Sequence, residues 1–294
     1  MRVGVVYPQT EIGSDSEVIR DFAQAAENLG YQHILAYDHV IGANPASRPD
    51  WRPPYTYLDA FHEPFVLFGF LAGITKTIEF TTGVIILPQR QTVLVAKQAA
   101  ALDILSCGRV RLGIGIGWNP VEYEALGMNF HDRGRRSEEQ IEVMRRLWSQ
   151  ELVTFQGRWH KIDDAGINPL PVQKPIPIWF GGSDDRALRR LARLGDGWFP
   201  LLAPDEKCRE VIERLRGYAR EAGREPNTLG IEGRIPLGHA SGNKDTQQKW
   251  LEQISAWKNL GASHVSLNTM KAGLTGQAHI DALRRFHEAT SSHW

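Results

Sequence analysis

The chain of 294 residues carries 34 Lys and Arg against 34 Asp and Glu, so its formal charge is zero. That balance excludes nucleic-acid binding through a broadly basic surface. Hydrophobic residues at 42% and charged residues at 23% supply a sizeable core and exclude intrinsic disorder. No apolar run approaches the ~20 residues that span a bilayer, so no membrane partner is expected. Met1 to Pro8 has no secretory layout and reads as a strand. Cys107 and Cys208 lie far apart without metal-ligand spacing, which points to reduced thiols in a cytoplasmic protein.

In chain order, Val3 to Tyr7 is the first predicted strand, followed by a helix from Ser16 to Leu29 with Ser16 as N-cap and Gly30 closing it. His33 to Tyr37 is the second strand, then a Pro- and Trp-rich loop from Gly42 to Tyr57 and a helix from Pro64 to Gly73. Ile78 to Leu87 is the third strand, with a helix from Thr92 to Ser106. Val110 to Ile114 is the fourth, with a Gly-rich exit and a helix from Ser137 to Trp148. Leu152 to Pro175 has no clear period and reads as an insertion, placed around residues 151–175. Four further strands follow at Ile176 to Phe180, Gly197 to Pro200, Leu229 to Arg234 and His264 to Asn268. Helices are expected to begin near Asp184, Pro204, Asp245 and Gln277.

Eight strand–helix units predict an α/β fold, an eight-stranded parallel barrel of the TIM type forming one domain over residues 1–294. A doubly wound open sheet is the main rival. A barrel places its chemistry where the strands end. Asp38 and His39 follow the second strand there, Gly83 and Val84 lie in the third, Gly115, Gly117, Trp118 and Asn119 follow the fourth, Gly181, Gly182 and Ser183 the fifth, and Arg234 and Asn268 close the last two.

Each feature has two readings. Gly113-Ile114-Gly115-Ile116-Gly117 lacks dinucleotide-fingerprint spacing; its glycines either let strands crowd together or let a flat ring approach bare backbone. Gly181-Gly182-Ser183 before a helix can hold a phosphate or form a turn in which Ser183 is the N-cap. His39 is a proton carrier or a loop histidine with a carbonyl partner. Arg133-Arg135-Arg136 and Arg186-Arg189-Arg190-Arg193 read as solvated helix faces, and Trp148, Trp159, Trp179 and Trp198 as core or interface. No metal-ligand cluster, nucleophile elbow or P-loop is seen.

Taken in order, Ala36-Tyr37-Asp38-His39, Thr82-Gly83-Val84-Ile85-Ile86-Leu87-Pro88, Gly115-Ile116-Gly117-Trp118, Gly181-Gly182 and Gly195-Asp196-Gly197-Trp198 resemble the luciferase-like monooxygenase family of flavin- and deazaflavin-dependent barrels. The resemblance implies a bacterial-luciferase-like barrel that holds a flavin ring at its mouth, its phosphate arm toward the fifth-strand turn, and a non-proline cis peptide at Gly83–Val84 behind the ring. It implies coenzyme F-420 as cofactor, with FMN as the alternative. It also implies His39 as acid or base, Asp38 positioning the ring or orienting His39, and a homodimer through early helices. The site it suggests is His39 and Asp38 as catalytic residues, with Asp38, Gly83, Val84, Gly117, Trp118, Gly181, Gly182 and Ser183 around the cofactor.

Sugar-phosphate dehydrogenases of that family have a glutamate where Trp118 stands and a tryptophan where Ala43 stands, so a smaller or more apolar small-molecule substrate is expected. The three functions left open are an F-420-dependent hydride transfer, an FMN-dependent monooxygenase and a non-catalytic flavin-binding barrel.

Overall fold

The computed structural model describes residues 1–238 and 244–294. Eight parallel staves close on themselves. Their strands are β1 (Arg2–Val6), β2 (His33–Ala36), β3 (Glu79–Thr82), β4 (Ile85–Ile86), β5 (Val110–Gly115), β8 (Ile178–Gly181), β9 (Gly197–Phe199), β10 (Gly230–Pro236) and β11 (His264–Asn268). The third stave is interrupted: the expected strand from Ile78 to Leu87 divides into β3 and β4 at a cis peptide between Gly83 and Val84. Closure follows from β3 pairing Phe80 with Val110, and β4 pairing Ile85 with Ile114. Within the order β1 pairs β11 along its full length, Arg2 with His264 through Val6 with Asn268. Apolar β-branched strands buried on both faces, as in Val3, Val5 and Val6, are what a parallel sheet covered by helices requires.

The helices are α1 (Ser16–Asn28), α2 (Pro64–Ile74), α3 (Thr92–Leu105), α4 (Pro120–Ala125), α5 (Arg133–Ser149), α6 (Asp185–Leu194), α7 (Glu206–Glu221), α8 (Lys244–Asn259) and α9 (Gly276–Thr290). Asp15, not Ser16, caps α1 by accepting from Glu17 N. Helix α5 starts four residues before the expected Ser137, and the short α4 was not anticipated. The expected insertion contains an antiparallel hairpin, β6 (Val153–Gln156) with β7 (Lys161–Ala165). Its alternation of buried Val153 and Phe155 with exposed Thr154 and Gln156 is a period-2 signal too short to stand out among the surrounding glycines and prolines. Trp148, Trp198 and Trp257 are fully buried, and Trp179 nearly so.

The barrel floor is ionic. Arg111 donates to Glu79 at 2.8 Å and to Glu232 at 2.6 Å, and its guanidinium lies 4.2 Å from the Trp179 ring centroid. His33 and Ser266 meet the other oxygen of Glu232, so both its oxygens are engaged. Burial pushes the Glu79 carboxyl up, but Arg111, His33 and Arg2 outweigh it and hold it at about 2. Burial, with Arg111 and His33 adding to it, lowers His264 to about 3. No helix among the described residues is long and apolar enough to cross a membrane.

Candidate active site

A cavity of about 570 Å³ opens at the carboxyl ends of the strands, a size that suits a small-molecule or cofactor site. Its wall brings together Asp38, His39, Gly83, Val84, Gly117, Trp118, Gly181 and Gly182, residues drawn from four staves and their exits. Ser183 is not in that wall.

At one end stands His39. Its Nδ1 lies 3.1 Å from Glu122 Oε1, and the same oxygen accepts from Val40 N at 3.1 Å. Glu122 is 1% exposed, and its second oxygen accepts from Gln89 at 3.4 Å. Sequence order explains how it arrives there. Asn119 caps α4 by accepting from Val121 N, Pro120 starts the helix, and Glu122 projects from its first turn. Tyr123, the next residue, anchors the helix by donating to Ile116 O at 2.7 Å. Three aromatic rings enclose the imidazole: Phe61 at 4.8 Å, Tyr55 at 5.1 Å and Trp118 at 5.7 Å between centroids. Burial raises the Tyr55 hydroxyl to about 12, so it stays a neutral donor.

Asp38 has a different partner from the one expected. It makes no hydrogen bond to His39. Arg90 reaches both its oxygens, NH2 at 2.9 Å and Nε at 3.3 Å, and Ile86 N donates at 3.2 Å. Arg90 also donates to Glu63 at 2.8 Å. Burial works to lower the Arg90 pKa, but the two carboxylates outweigh it and the guanidinium is held charged. Asp38 thereby ties the end of β2 to β4 across the rim, and Glu122 is the carboxylate that meets the imidazole.

In the middle of the wall the glycines have distinct tasks. A Cβ on Gly113 would stand 1.8 Å from Thr82 O, so this glycine serves close strand packing. A Cβ on Gly115 would stand 2.6 Å from Val84 Cγ2, and one on Gly181 3.2 Å from Val84 Cγ1. These two make room for the Val84 side chain, which, like Tyr55 and Phe61, packs against an apolar cluster that includes Leu35, Tyr37 and Phe199. Gly117 takes φ +68°, a left-handed turn that suits glycine.

Part of the wall is cationic, contrary to the expectation that both arginine clusters are solvated faces. Arg133 and Arg190 line the cavity beside Ser137, Gly181 and Gly182. Arg190 is 8% exposed and pairs with Glu138 at 3.1 Å. Arg133 lies 3.7 Å over the Phe130 ring, donates to Phe130 O, and has no carboxylate within 4.0 Å among the described residues; its Nε is buried without a partner. Helix α6 is capped by Asp184 rather than Ser183, since Asp184 accepts from Arg186 N and Ala187 N. Those two N–H groups are therefore taken, and an anionic arm would rest on the Gly181–Gly182 turn and Arg133. No group of three or more His, Cys, Asp and Glu among the described residues is arranged to hold a metal ion.

The luciferase-like monooxygenase family matches residues 1–290. An uncharacterized protein of Mycobacterium tuberculosis is 37% identical over 225 residues, covering 72% of this chain and 76% of the relative. An F-420-dependent hydroxymycolic acid dehydrogenase of the same organism is 31% identical over 231 residues, 78% of this chain and 60% of the relative. Among solved structures, an F-420-dependent secondary alcohol dehydrogenase in complex with an F-420–acetone adduct superposes with a TM-score of 0.80 at 19% identity, covering 99% of this chain and 98% of that one.

Proposed function

The chain belongs to the luciferase-like monooxygenase family, and from that premise we propose that it is an oxidoreductase transferring hydride between coenzyme F-420 and a small organic substrate. The observation that carries this reading is His39, fixed by a buried carboxylate and opening on a cavity that Arg133 and Arg190 also line. The relative named as an F-420-dependent dehydrogenase supports the choice of cofactor.

When bound, the deazaflavin supplies a ring carbon that takes up or releases hydride. The chain's own residues do the rest. Val84, with Gly115 and Gly181 packed against it, and Gly117 and Trp118 would hold the ring, while Asp38 keeps the rim in register through Arg90 and Ile86 N. The Gly181–Gly182 turn and Arg133 would hold the phosphate of the arm. Glu122 accepts from His39 Nδ1–H, which leaves Nε2 free to take or give the substrate's proton. The enclosing Tyr55, Phe61 and Trp118 limit water at that nitrogen.

The same apolar enclosure would shield a reactive oxygen species, so an FMN-dependent monooxygenase is the second reading. Fluorescence titration with F-420, FMN and nicotinamide nucleotides separates the two: tighter binding of FMN than of F-420 overturns the first. On the F-420 reading, His39→Ala lowers kcat at least 100-fold with cofactor affinity kept, and unchanged turnover removes His39 from the mechanism. Free Cys107 and Cys208 suit a reducing compartment, and we place the protein in the cytoplasm on that ground.

We further propose a homodimer through α2. That helix carries no charge from Pro64 to Ile74 and is apolar on all sides, with Val66 and Phe70 exposed, and α3, which it contacts, exposes Val93 and Leu94. An uncharged apolar face meets its own copy without repulsion.

A further inference from the structure

Arg234, like Arg133, lacks the carboxylate partners that hold Arg90 and Arg111. Arg90 lies against Asp38 and Glu63, and Arg111 against Glu79 and Glu232. Arg234, two residues beyond Glu232 on β10, has no carboxylate within 4.0 Å among the described residues. Glu232, on the same face of that strand, is occupied by Arg111, His33 and Ser266. The Arg234 guanidinium lies 4.8 Å from the Tyr37 ring centroid, meets the Tyr37 hydroxyl, and makes one long bond to the backbone, NH2 to Gly83 O at 3.4 Å. None of its nitrogens is among the buried groups without a partner, so its remaining donors open into the cavity that it lines.

The surroundings define what such a group would receive. Tyr55, lining the same cavity, presents a neutral hydroxyl, and Lys271 Nζ stands 5.4 Å from its ring centroid, itself without a carboxylate within 4.0 Å among the described residues. Toward His39 the wall turns aromatic, with Phe61 and Trp118. A planar fork of charged donors beside an aromatic chamber is matched by a carboxylate carried on an apolar body. A phosphate arm has other cations in the same cavity wall, Arg133 and Arg190.

We propose that Arg234 anchors a substrate carboxylate, and that the substrate is a small organic acid whose apolar or aromatic body lies against the rings around His39. The word substrate rests on the oxidoreductase reading above; the anion site does not. The other acceptor that could reach Arg234 is the carbonyl edge of the redox ring, and the experiment separates the two.

Isothermal titration of the full chain with phenylacetate and with its neutral counterpart phenylacetamide, each with and without saturating F-420, tests the proposal. Wild type is expected to bind the acid at least ten-fold tighter than the amide, with F-420 present as well as absent. Arg234→Met is expected to erase that difference while binding F-420 within two-fold of wild type, and Arg234→Lys to keep part of it. Equal binding of acid and amide by wild type overturns the proposal without need of any variant. Displacement of phenylacetate by F-420, or a ten-fold loss of F-420 affinity in Arg234→Met, assigns the arginine to the ring and overturns it too. Failure of F-420 to bind at all defeats the F-420 reading instead, and the acid–amide comparison still decides whether Arg234 is an anion site.

Discussion

Gly115→Ala is the sharpest probe of the ring platform. The added methyl would stand 2.6 Å from Val84 Cγ2, and within 4 Å it meets only atoms of that side chain. Ordinary carbon contacts begin near 3.5 Å, so Val84 must move by about 1 Å, and the free direction is into the cavity it lines. Overpacking of this kind costs about 1–3 kcal/mol, which for a domain of this size lowers Tm by roughly 2–10 °C. A ~1 Å displacement of the surface behind the ring should weaken F-420 binding at least ten-fold, or about 1.4 kcal/mol. Gly181→Ala, whose methyl would lie 3.2 Å from Val84 Cγ1, should show the same signs more weakly. Combining Gly115→Ala with Val84→Ala removes the clash, so the double variant should melt higher than additivity of the two singles allows. Fluorescence titration and calorimetric melting give the two readouts. Wild-type affinity and Tm in Gly115→Ala, or strict additivity in the double variant, would refute the reasoning.

Glu122→Ala leaves the imidazole without the acceptor that orients it, so kcat should fall ten- to 100-fold with F-420 affinity within two-fold, and Glu122→Gln, which keeps an acceptor oxygen, should recover part of the loss; equal losses in both would show that mere bulk matters. Stability should decline on acidification in two stages. His264, held at about 3, binds no proton where the unfolded chain does, so stability is complete above about pH 6.5 and is lost as pH falls toward 3; Glu79, held at about 2, adds a loss between about pH 4.5 and 2. Urea midpoints at pH 7.5, 5 and 4 check this, and a flat profile contradicts it. Phe70→Glu should convert a dimer to monomer in sedimentation analysis with secondary structure intact, whereas an unchanged sedimentation coefficient would remove α2 from the interface.

The staves were readable because parallel strands covered on both sides must be apolar runs, and Val3–Val6 or Val265–Leu267 have no other stable use. The break in the third stave left no trace in hydropathy, since Gly83 and Val84 continue the apolar run that Ile85 and Ile86 complete. Asp38 and His39 could be placed at the rim from strand ends alone, yet adjacency in sequence suggested that they act on one another. The strand's end instead sends Asp38 toward Arg90, 52 residues on, and His39 toward Glu122, 83 residues on. Asn119-Pro120 did carry a start signal for a helix with an acid in its first turn, which was the available clue to Glu122.

The arginines show the deeper reason for what escaped. A run such as Arg186-Arg189-Arg190-Arg193 fixes which residues share a helix face, but the burial of Arg190 depends on Glu138 of α5 lying opposite it, a contact set by how two crossovers pack. Arg234 is the converse case. Period-2 alternation on β10 puts it on the face of Glu232, which from sequence alone looks like a ready partner. That pairing is pre-empted because Arg111, three strands and 121 residues away, reaches Glu232 first at 2.6 Å, while Ser266 and His33 take the other oxygen. The floor network thus leaves a positive charge unmatched at the mouth, and an unmatched charge in a cavity of restricted water is stabilised by whatever anion enters. Removing Arg111 would therefore do more than weaken the floor. It would release an oxygen of Glu232 toward Arg234, and the mouth would lose its preference for acids over amides, so Arg111→Met should lower phenylacetate affinity at least ten-fold in a folded chain, while retained discrimination would show that the two layers are independent.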